Sequence, residues 1–327
     1  MAKFKVFLTR RIPQPAIDKL LENNIHLELN EEDRVLTKEE IMEGVEGKDG
    51  LICLLTDTID SEIMDHAGSQ LKIIANYAVG YNNIDIPAAN ARKIPVTNTP
   101  GVLTDTTADF TIALLLAIAR KVVISDKYTR EGKFKGWGPL LQLGTDVFGK
   151  TLGIIGCGRI GSAVARRAAK GFDMKILYYD TKSFPELEKE LDMEFCSFDS
   201  LLKSSDFISL HVPLTKNTKH LIGKKEITKM RSTAFLINTS RGPVIDERAL
   251  VEALKENRIA GAALDVYENE PELAPGLNDL ENVILAAHIA SASIETRTKM
   301  GLIAVENLLV GLEGKIPPNC INSVIYK

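Results

Sequence analysis

The chain has 327 residues, of which 45% are hydrophobic and 26% are charged, as is typical of globular proteins. A net charge of −4 lacks the basic excess of nucleic-acid binders, and the length favours two domains over one. No apolar run approaches the roughly 18 residues of a membrane helix, and the first residues lack the apolar core of a signal peptide. We therefore expect a cytoplasmic protein with neither a membrane nor a nucleic-acid partner.

The first part of the chain alternates strand-like runs with amphipathic helical patterns such as "PAIDKLLEN". This alternation is typical of an α/β domain with a parallel sheet. The predicted strands cover residues 4–9, 26–30, 50–55, 71–79 and 94–99.

A long helical pattern then covers residues 104–133 and is apolar on more than one face. Such a helix is either buried in a core or packed on a partner chain. The Gly-rich segment 135–150 that follows is predicted to form an irregular arm, and it contains Trp137, the only tryptophan.

From Thr151 the α/β pattern resumes with six nearly continuous apolar runs, as expected for strands covered on both faces. A last helix is predicted within 294–314, before the pair Pro317-Pro318. The four cysteines are scattered and contain no CxxC pair, so they indicate neither a disulfide framework nor a zinc site.

A glycine motif, Gly156-x-Gly158-x-x-Gly161, directly follows the first of these runs and opens a helical pattern. This context predicts dinucleotide binding, because each glycine lets backbone pack closely in the turn or against the pyrophosphate. The backbone N–H groups of Arg159 and Ile160 are expected to face the phosphates at the positive helix end.

Asp180 ends the second apolar run of this part. An acid there is expected to bind the adenosine ribose hydroxyls and to repel a 2′-phosphate, so NAD is favoured as the cofactor and NADP is the less favoured alternative. NADP is kept as an alternative because the cationic Lys182 lies two residues after Asp180. Further cofactor-binding candidates near these strand ends are Thr181, Lys182, Thr239, Ser240 and Ala290.

Two of the five histidines follow apolar runs of the nucleotide-binding part, at strand ends where ligands of α/β sheets bind. His211 precedes Val212 and Pro213, a turn predicted to place backbone against the cofactor. His288 precedes the small residues "IASAS", which leave room for a substrate, and is the preferred acid–base group. His26, His66 and His220 are predicted to be surface or packing residues.

Arg241 lies in "LINTSRGPVID", also after an apolar run, and its planar guanidinium suits the carboxylate of a 2-oxo or 2-hydroxy acid. The stretch "AALDVYENEPE" raises a separate question, because Asp265 lies inside an apolar run and three glutamates follow it. Spacing alone does not decide which of these acids takes part in chemistry.

The segments "GIIGCGRIG…YYD", "HVPLTKNTKHLIG", "LINTSRG", "GAALDVYENEP" and "HIAS" together resemble the D-isomer-specific 2-hydroxyacid dehydrogenase family. Two further segments, "LKIIANYAVGYNNIDI" and "VTNTPGVLTDTTAD", resemble its glyoxylate/hydroxypyruvate reductase branch. The resemblance implies an NADH-dependent reductase of a small 2-oxo acid. Dehydrogenases of 3-phosphoglycerate or D-lactate type are the alternatives, and an NAD-sensing co-repressor is a remote one.

The resemblance also implies roles for single residues. Arg241 would bind the substrate, His288 would be the general acid–base, and Glu270 would be its partner, while Glu268 and Glu272 would face solvent. Asp265 would hold the nicotinamide carboxamide. The substrate-binding positions are Leu54, which is expected to line the pocket, the backbone N–H groups of Val79 and Gly80, and the side chains of Arg241 and His288.

The fold implied is two doubly wound parallel-sheet domains, Rossmann-like and flavodoxin-like, around a cleft. Residues 1–99 with 289–327 would form the substrate-binding domain, and residues 100–288 the NAD-binding Rossmann domain. The resemblance further implies a homodimer through the NAD-binding domain, with Trp137 near the partner subunit.

Overall fold

A computed structural model describes residues 3–327 of the chain; Met1 and Ala2 lie outside the described residues. The chain divides into two compact units. One comprises Met1–Leu103 and Ala292–Lys327, and the other comprises Thr104–Ser291. Within residues 3–327 no helix combines the length and the apolar character needed to cross a membrane.

The first unit contains a five-stranded parallel sheet with helices on both faces. Its strands are short, and those at Gly50–Cys53, Ile73–Asn76 and Val96–Thr97 are wholly buried, as the predicted apolar runs require. Side chains cap four of its helices: Thr37 and Glu40 form a capping box, Asp60 accepts from two N–H groups, and Asp85 and Ser293 accept from one each. The elements before residue 104 are β1 (Phe4–Leu8), α1 (Gln14–Glu22), β2 (Ile25–Leu29), α2 (Lys38–Val45), β3 (Gly50–Cys53), α3 (Ser61–Ala67), β4 (Ile73–Asn76), α4 (Ile86–Ala91) and β5 (Val96–Thr97). The strand order is β2-β1-β3-β4-β5.

The second unit contains a seven-stranded parallel sheet. Its elements are α5 (Thr104–Ala119), α6 (Val122–Arg130), β6 (Thr151–Ile155), α7 (Arg159–Phe172), β7 (Lys175–Tyr179), α8 (Pro185–Leu191), β8 (Glu194–Phe195), α9 (Phe198–Ser204), β9 (Phe207–Leu210), α10 (Lys224–Ile227), β10 (Phe235–Asn238), a 3₁₀ turn (Gly242–Val244), α11 (Glu247–Lys255), β11 (Gly261–Leu264) and β12 (Val283–Leu285). The strand order is β12-β11-β10-β9-β6-β7-β8. The two sheets confirm the predicted α/β fold class, with parallel pairing throughout.

The helical pattern at 104–133 was predicted to be one stretch, and the structure instead divides it into α5 and α6. Lys121 between them has a φ of 54°, which lies in the left-handed region. The arm that follows returns to this point, and the Thr145 N–H donates to the carbonyl of Ala119 at 2.8 Å. The Ala119 carbonyl thus accepts from the arm instead of from an N–H group of a further helical turn, and α5 ends there.

The chain returns to the first unit with α12 (Ile294–Leu312) and a final 3₁₀ turn (Ser323–Tyr326). Met300, Ala304 and Leu308 of α12 join the core on one face of the five-stranded sheet. Gly311 packs directly on Ile73, where an added Cβ would lie 2.3 Å from its Cδ1. The C-terminal segment is therefore part of the core of the first unit.

Candidate active site

The glycine motif lies between β6 and α7 and leaves space for a ligand on one side only. Gly156 has a φ of 93°, and an added Cβ would lie 2.8 Å from the carbonyl carbon of His211 and 2.9 Å from Cγ1 of Val212. A Cβ on Gly161 would lie 2.1 Å from the Gly156 oxygen, whereas one on Gly158 would meet nothing within 4 Å. The first and third positions thus permit tight packing, and the second leaves the backbone open.

α7 begins at Arg159 without a side-chain cap. The N–H groups of its first turn, including those of Arg159 and Ile160, therefore remain at the open side of the turn, where an anion is favoured. This arrangement fits a dinucleotide pyrophosphate.

Asp180 follows β7 and is joined to the glycine turn. Its Oδ2 accepts from the Cys157 N–H at 2.7 Å and its Oδ1 accepts from the Thr181 N–H at 2.6 Å. Oδ1 also accepts from the Thr181 hydroxyl at 3.1 Å, whereas Oδ2 can accept a second hydrogen bond, so a ribose hydroxyl of a dinucleotide can still be bound. The Lys182 ammonium lies over the ring of Phe184, 5.4 Å from its centroid.

His211 follows β9, and its Nε2 lies 2.8 Å from the hydroxyl oxygen of Ser209. Burial without a nearby carboxylate lowers the pKa of His211 to about 3, because a charged imidazole would lose its hydration. The neighbouring turn is tied locally, with Thr218 donating to the Pro213 carbonyl. His211 is therefore neutral at physiological pH and is unsuited to be the proton donor.

Arg241 follows β10 in a turn held by Asn238. The buried Asn238 amide donates to the Arg241 carbonyl at 3.0 Å, while its oxygen accepts from the N–H and hydroxyl of Ser240. The Arg241 Nη1 donates to the Ser240 carbonyl at 2.7 Å, and the Thr239 hydroxyl lies 2.8 Å from that of Thr111 on α5. Burial lowers the pKa of the Arg241 guanidinium, and the negative charge of Glu270 opposes that shift.

Glu270 and His288 form a close pair, with Glu270 Oε2 2.8 Å from His288 Nδ1. Burial raises the pKa of the Glu270 carboxyl, but the hydrogen bond and charge of His288 outweigh it, so this pKa lies below its usual value. The ionised carboxylate can only accept, so Nδ1 must carry the hydrogen. Nε2 is thus the nitrogen that can exchange a proton with a ligand.

The backbone of His288 is held in an uncommon conformation by Asp265. His288 has a φ of 54°, and the N–H groups of Ile289 and Ala290 both donate to the Asp265 carboxylate at 2.8 Å. A non-glycine residue in this region costs of order 1–3 kcal/mol and persists only where its surroundings fix it. Burial raises the pKa of Asp265, and the two N–H donors oppose that shift. Asp265 thus stabilises the turn that presents His288.

Tyr267, which sequence reasoning did not select, links the segments after β11 and β12. Its N–H donates to Glu270 Oε1 at 3.0 Å, and its hydroxyl donates to the Ala286 carbonyl at 2.6 Å, two residues before His288. Gly242 lies directly against it, since an added Cβ would be 1.8 Å from the Tyr267 carbonyl carbon. The turn of Arg241, the acid Glu270 and the base His288 therefore converge on one buried residue.

The prediction that Glu268 merely faces solvent is wrong, whereas Glu272 is exposed. Glu268 Oε1 lies 2.6 Å from Nε2 of His220, and the Glu268 N–H donates to the buried Glu247 carboxylate at 2.7 Å. Burial raises the pKa of Glu247. The second Glu–His pair ties this loop to the segment that contains His220. No motif in the sequence indicated this pairing.

The other predicted substrate positions belong to the first unit. Leu54 follows β3, where its N–H donates to the Asp57 carboxylate at 2.7 Å and its carbonyl accepts from the Asn83 amide at 3.0 Å. Val79 and Gly80 follow β4, and both are partly buried. Asn76 connects the two loops, because its amide donates to the Gly80 carbonyl and to the Asn83 side chain.

Comparison with known proteins gives one family. The model of the D-isomer specific 2-hydroxyacid dehydrogenase NAD binding domain matches residues 112–290. The chain is 53% identical to a glyoxylate reductase of Korarchaeum cryptofilum, over 99% of this chain and 98% of that protein. A crystal structure of a Thermus thermophilus protein, 46% identical, superposes with a TM-score of 0.91 over 97% of this chain and 99% of that one. An NADPH-dependent glyoxylate/hydroxypyruvate reductase of Sinorhizobium meliloti, 31% identical, superposes with a TM-score of 0.83 over 98% of both chains.

Proposed function

The chain belongs to the D-isomer specific 2-hydroxyacid dehydrogenase family, and on that premise we propose that it reduces glyoxylate or hydroxypyruvate to the 2-hydroxy acid with NADH. The observation that carries the proposal is the 2.8 Å pair of Glu270 and His288, because it holds the hydrogen on Nδ1 and leaves Nε2 to exchange a proton with the carbonyl oxygen. The family makes the chain an oxidoreductase, whereas the substrate and the residue roles are proposals.

In this mechanism the bound nicotinamide supplies the hydride, and the protein supplies the proton and the charge. His288 Nε2 gives its proton to the carbonyl oxygen while Glu270 stabilises the imidazolium through Nδ1. Arg241 stabilises the negative charge that develops on that oxygen, and the N–H groups of Val79 and Gly80 receive the substrate carboxylate. In the oxidation direction, neutral His288 accepts the proton.

The cofactor would be held by the glycine turn, by the N–H groups of Arg159 and Ile160, and by Asp180. The Asp180 carboxylate retains acceptor capacity for ribose hydroxyls, and its charge disfavours a 2′-phosphate. We therefore infer a preference for NADH over NADPH, although a structural relative is NADPH-dependent. Asp180→Ala should relax this preference, and equal discrimination by both proteins would show that other residues set it.

The function is tested by measuring consumption of NADH and of NADPH with a panel of 2-oxo acids. The expected result is the highest kcat/KM for glyoxylate or hydroxypyruvate with NADH. A preference for phosphohydroxypyruvate or pyruvate would instead indicate a 3-phosphoglycerate or D-lactate type dehydrogenase. Binding of NADH with no turnover of any 2-oxo acid would favour a nucleotide-sensing protein.

We also infer that two copies associate through the second unit. The segment 122–148 exposes several large apolar side chains, with Trp137 86% and Leu140 80% exposed, and such a concentration marks an interaction surface. The double change Trp137→Asp and Leu140→Asp should give a monomer by light scattering, whereas Leu21→Asp on α1 should not. Unchanged mass would contradict this interface. A cytoplasmic location stays a prediction from the sequence.

A further inference from the structure

Three successive carbonyl groups of the loop after β4 are held by donors of the same unit. The Ala78 carbonyl accepts from the Thr99 N–H at 2.9 Å, and the Val79 carbonyl accepts from the Asn98 amide at 2.7 Å. The Gly80 carbonyl accepts from the Asn76 amide at 2.9 Å. Three successive carbonyls therefore have fixed directions.

The direction of each carbonyl sets the direction of the next N–H, because the two groups point to opposite sides of one planar trans peptide unit. The Thr99 N–H thus orients the N–H of Val79, and the Asn98 side chain orients the N–H of Gly80. Within residues 3–327, these two N–H groups donate to no other group of the protein. Adjacent backbone N–H groups left open in this way form an anion-binding concavity.

Asn98 is itself rigidly placed by the C-terminal segment. Its carbonyl accepts from the amide of the fully buried Asn307 on α12 at 3.1 Å, and its N–H donates to the Asn319 carbonyl at 3.4 Å. The Asn307 oxygen in turn accepts from the Asn319 N–H and side-chain amide. The backbone of Asn98 is therefore fixed by the C-terminal segment, and this fixes the position from which its side-chain amide holds the Val79 carbonyl.

We propose that Asn98 is a positioning residue for substrate binding, which aims the Gly80 N–H at the substrate carboxylate by holding the carbonyl of Val79. The proposal rests on the proposed function in assigning a carboxylate to these N–H groups. Asn76 closes the loop by holding the next carbonyl. Because Asn98 acts through the Val79 carbonyl, its contribution is to the affinity for the carboxylate.

The kinetic test uses Asn98→Asp, which keeps the shape of the side chain but replaces the amide donor by a carboxylate facing the Val79 carbonyl. A carboxylate contact is made equally in ground and transition states, so KM for glyoxylate should rise about tenfold or more while kcat changes little. The dissociation constant of NADH should stay unchanged. Asn30→Asp is the matched control, since Asn30 also donates to a backbone carbonyl of this unit, that of Thr9 at 3.1 Å.

A second measurement is independent of turnover and uses oxalate as the probe. Titration of the ¹⁵N-labelled full-length protein should move the amide resonances of Val79 and Gly80 in the wild type and in Asn30→Asp. In Asn98→Asp, and in the milder Asn98→Ser, the Gly80 shift should need at least tenfold more oxalate. If both Asn98 variants keep the melting temperature of Asn30→Asp and also the wild-type KM and oxalate response, the proposal is overturned.

The oxalate arm separates this proposal from the proposed function. A wild-type protein that reduces no 2-oxo acid, but whose Gly80 amide responds to oxalate only when Asn98 is present, would refute the reductase and support the positioning role. A protein that reduces glyoxylate with unaltered KM in both Asn98 variants would do the reverse.

Discussion

The ends of β9 and β12 carry one histidine each, and the two residues have opposite chemical properties. His211 has the Ser209 hydroxyl as its partner, and burial lowers its pKa to about 3. His288 has the ionised Glu270 at 2.8 Å and a backbone fixed in the left-handed region by Asp265. Both histidines follow strands of the same parallel sheet.

The difference shows that a position after a strand of the sheet does not by itself make a residue an acid–base group. A hydroxyl partner leaves the buried imidazole neutral, because it cannot compensate a positive charge. A carboxylate partner both stabilises the charge and selects which nitrogen carries the hydrogen. The neighbours of each histidine, contributed by separate segments of the chain, therefore decide its role.

The largest test of this comparison is His288→Asn, which keeps a polar side chain but removes the proton donor. We expect kcat to fall by about 10²- to 10⁴-fold, with NADH binding nearly intact by fluorescence titration. His211→Gln should lose less than tenfold in kcat at saturating NADH. The comparison would be reversed if the His211 variant were the inactive one.

The next test removes the charge next to His288 and leaves its shape. Glu270→Gln should lower kcat about 10- to 100-fold, as expected for the loss of a charged hydrogen bond. It should also move the pH above which reduction declines to lower values, because the imidazolium loses its stabilising carboxylate. The pH–rate profile from pH 5 to 9 measures this.

The matched control for that variant is Glu268→Gln, which alters the other Glu–His pair of the same loop. We expect its pH–rate profile to coincide with that of the wild type. If both profiles shifted equally, the pH dependence would respond to the total charge of the loop and not to the direct partner of His288.

Much of this arrangement was predictable from local patterns. The apolar runs predicted both parallel sheets, and the glycine motif predicted the turn between β6 and α7, because these features depend on consecutive residues. The selection of Glu270 over Glu268 depended on resemblance alone. Spacing does not distinguish two glutamates whose partners, His288 and His220, lie in separate parts of the sequence.

The residues that sequence reasoning missed share a physical reason. Asn238, Ser209 and Tyr267 act through bonds to backbone groups or to side chains in turns, and such bonds have no sequence signature. The break of the long helical pattern at Lys121 was missed likewise, since it depends on the arm that returns to the Ala119 carbonyl.

A smaller effect is expected from the residue that connects Glu270 to the strand of His288. Tyr267→Phe keeps the buried ring but removes the hydroxyl that donates to the Ala286 carbonyl, and burial keeps that hydroxyl protonated by raising its pKa to about 12. We expect kcat to fall about two- to tenfold, the scale of one neutral hydrogen bond, with KM unchanged. The control is Tyr326→Phe, because the Tyr326 hydroxyl also donates to a backbone carbonyl, that of Lys315 in the first unit. Equal kcat in both variants, with a lower melting temperature only for Tyr267→Phe, would reduce Tyr267 to a packing role.

The last test concerns stability instead of turnover, and it isolates His211. Its pKa is about 3 in the folded chain and near 6.5 when unfolded, so between these values the unfolded state binds one proton more. Stability is therefore lost as pH falls below about 6.5, with a slope of up to about 1.4 kcal/mol per pH unit. His211→Gln removes this term, so its free energy of unfolding in urea should decline less than that of the wild type between pH 7 and 4.5. His26→Gln, which changes an exposed histidine, should follow the wild type. Parallel curves for all three proteins would mean that His211 is protonated in the fold, and its contrast with His288 would then rest on position alone.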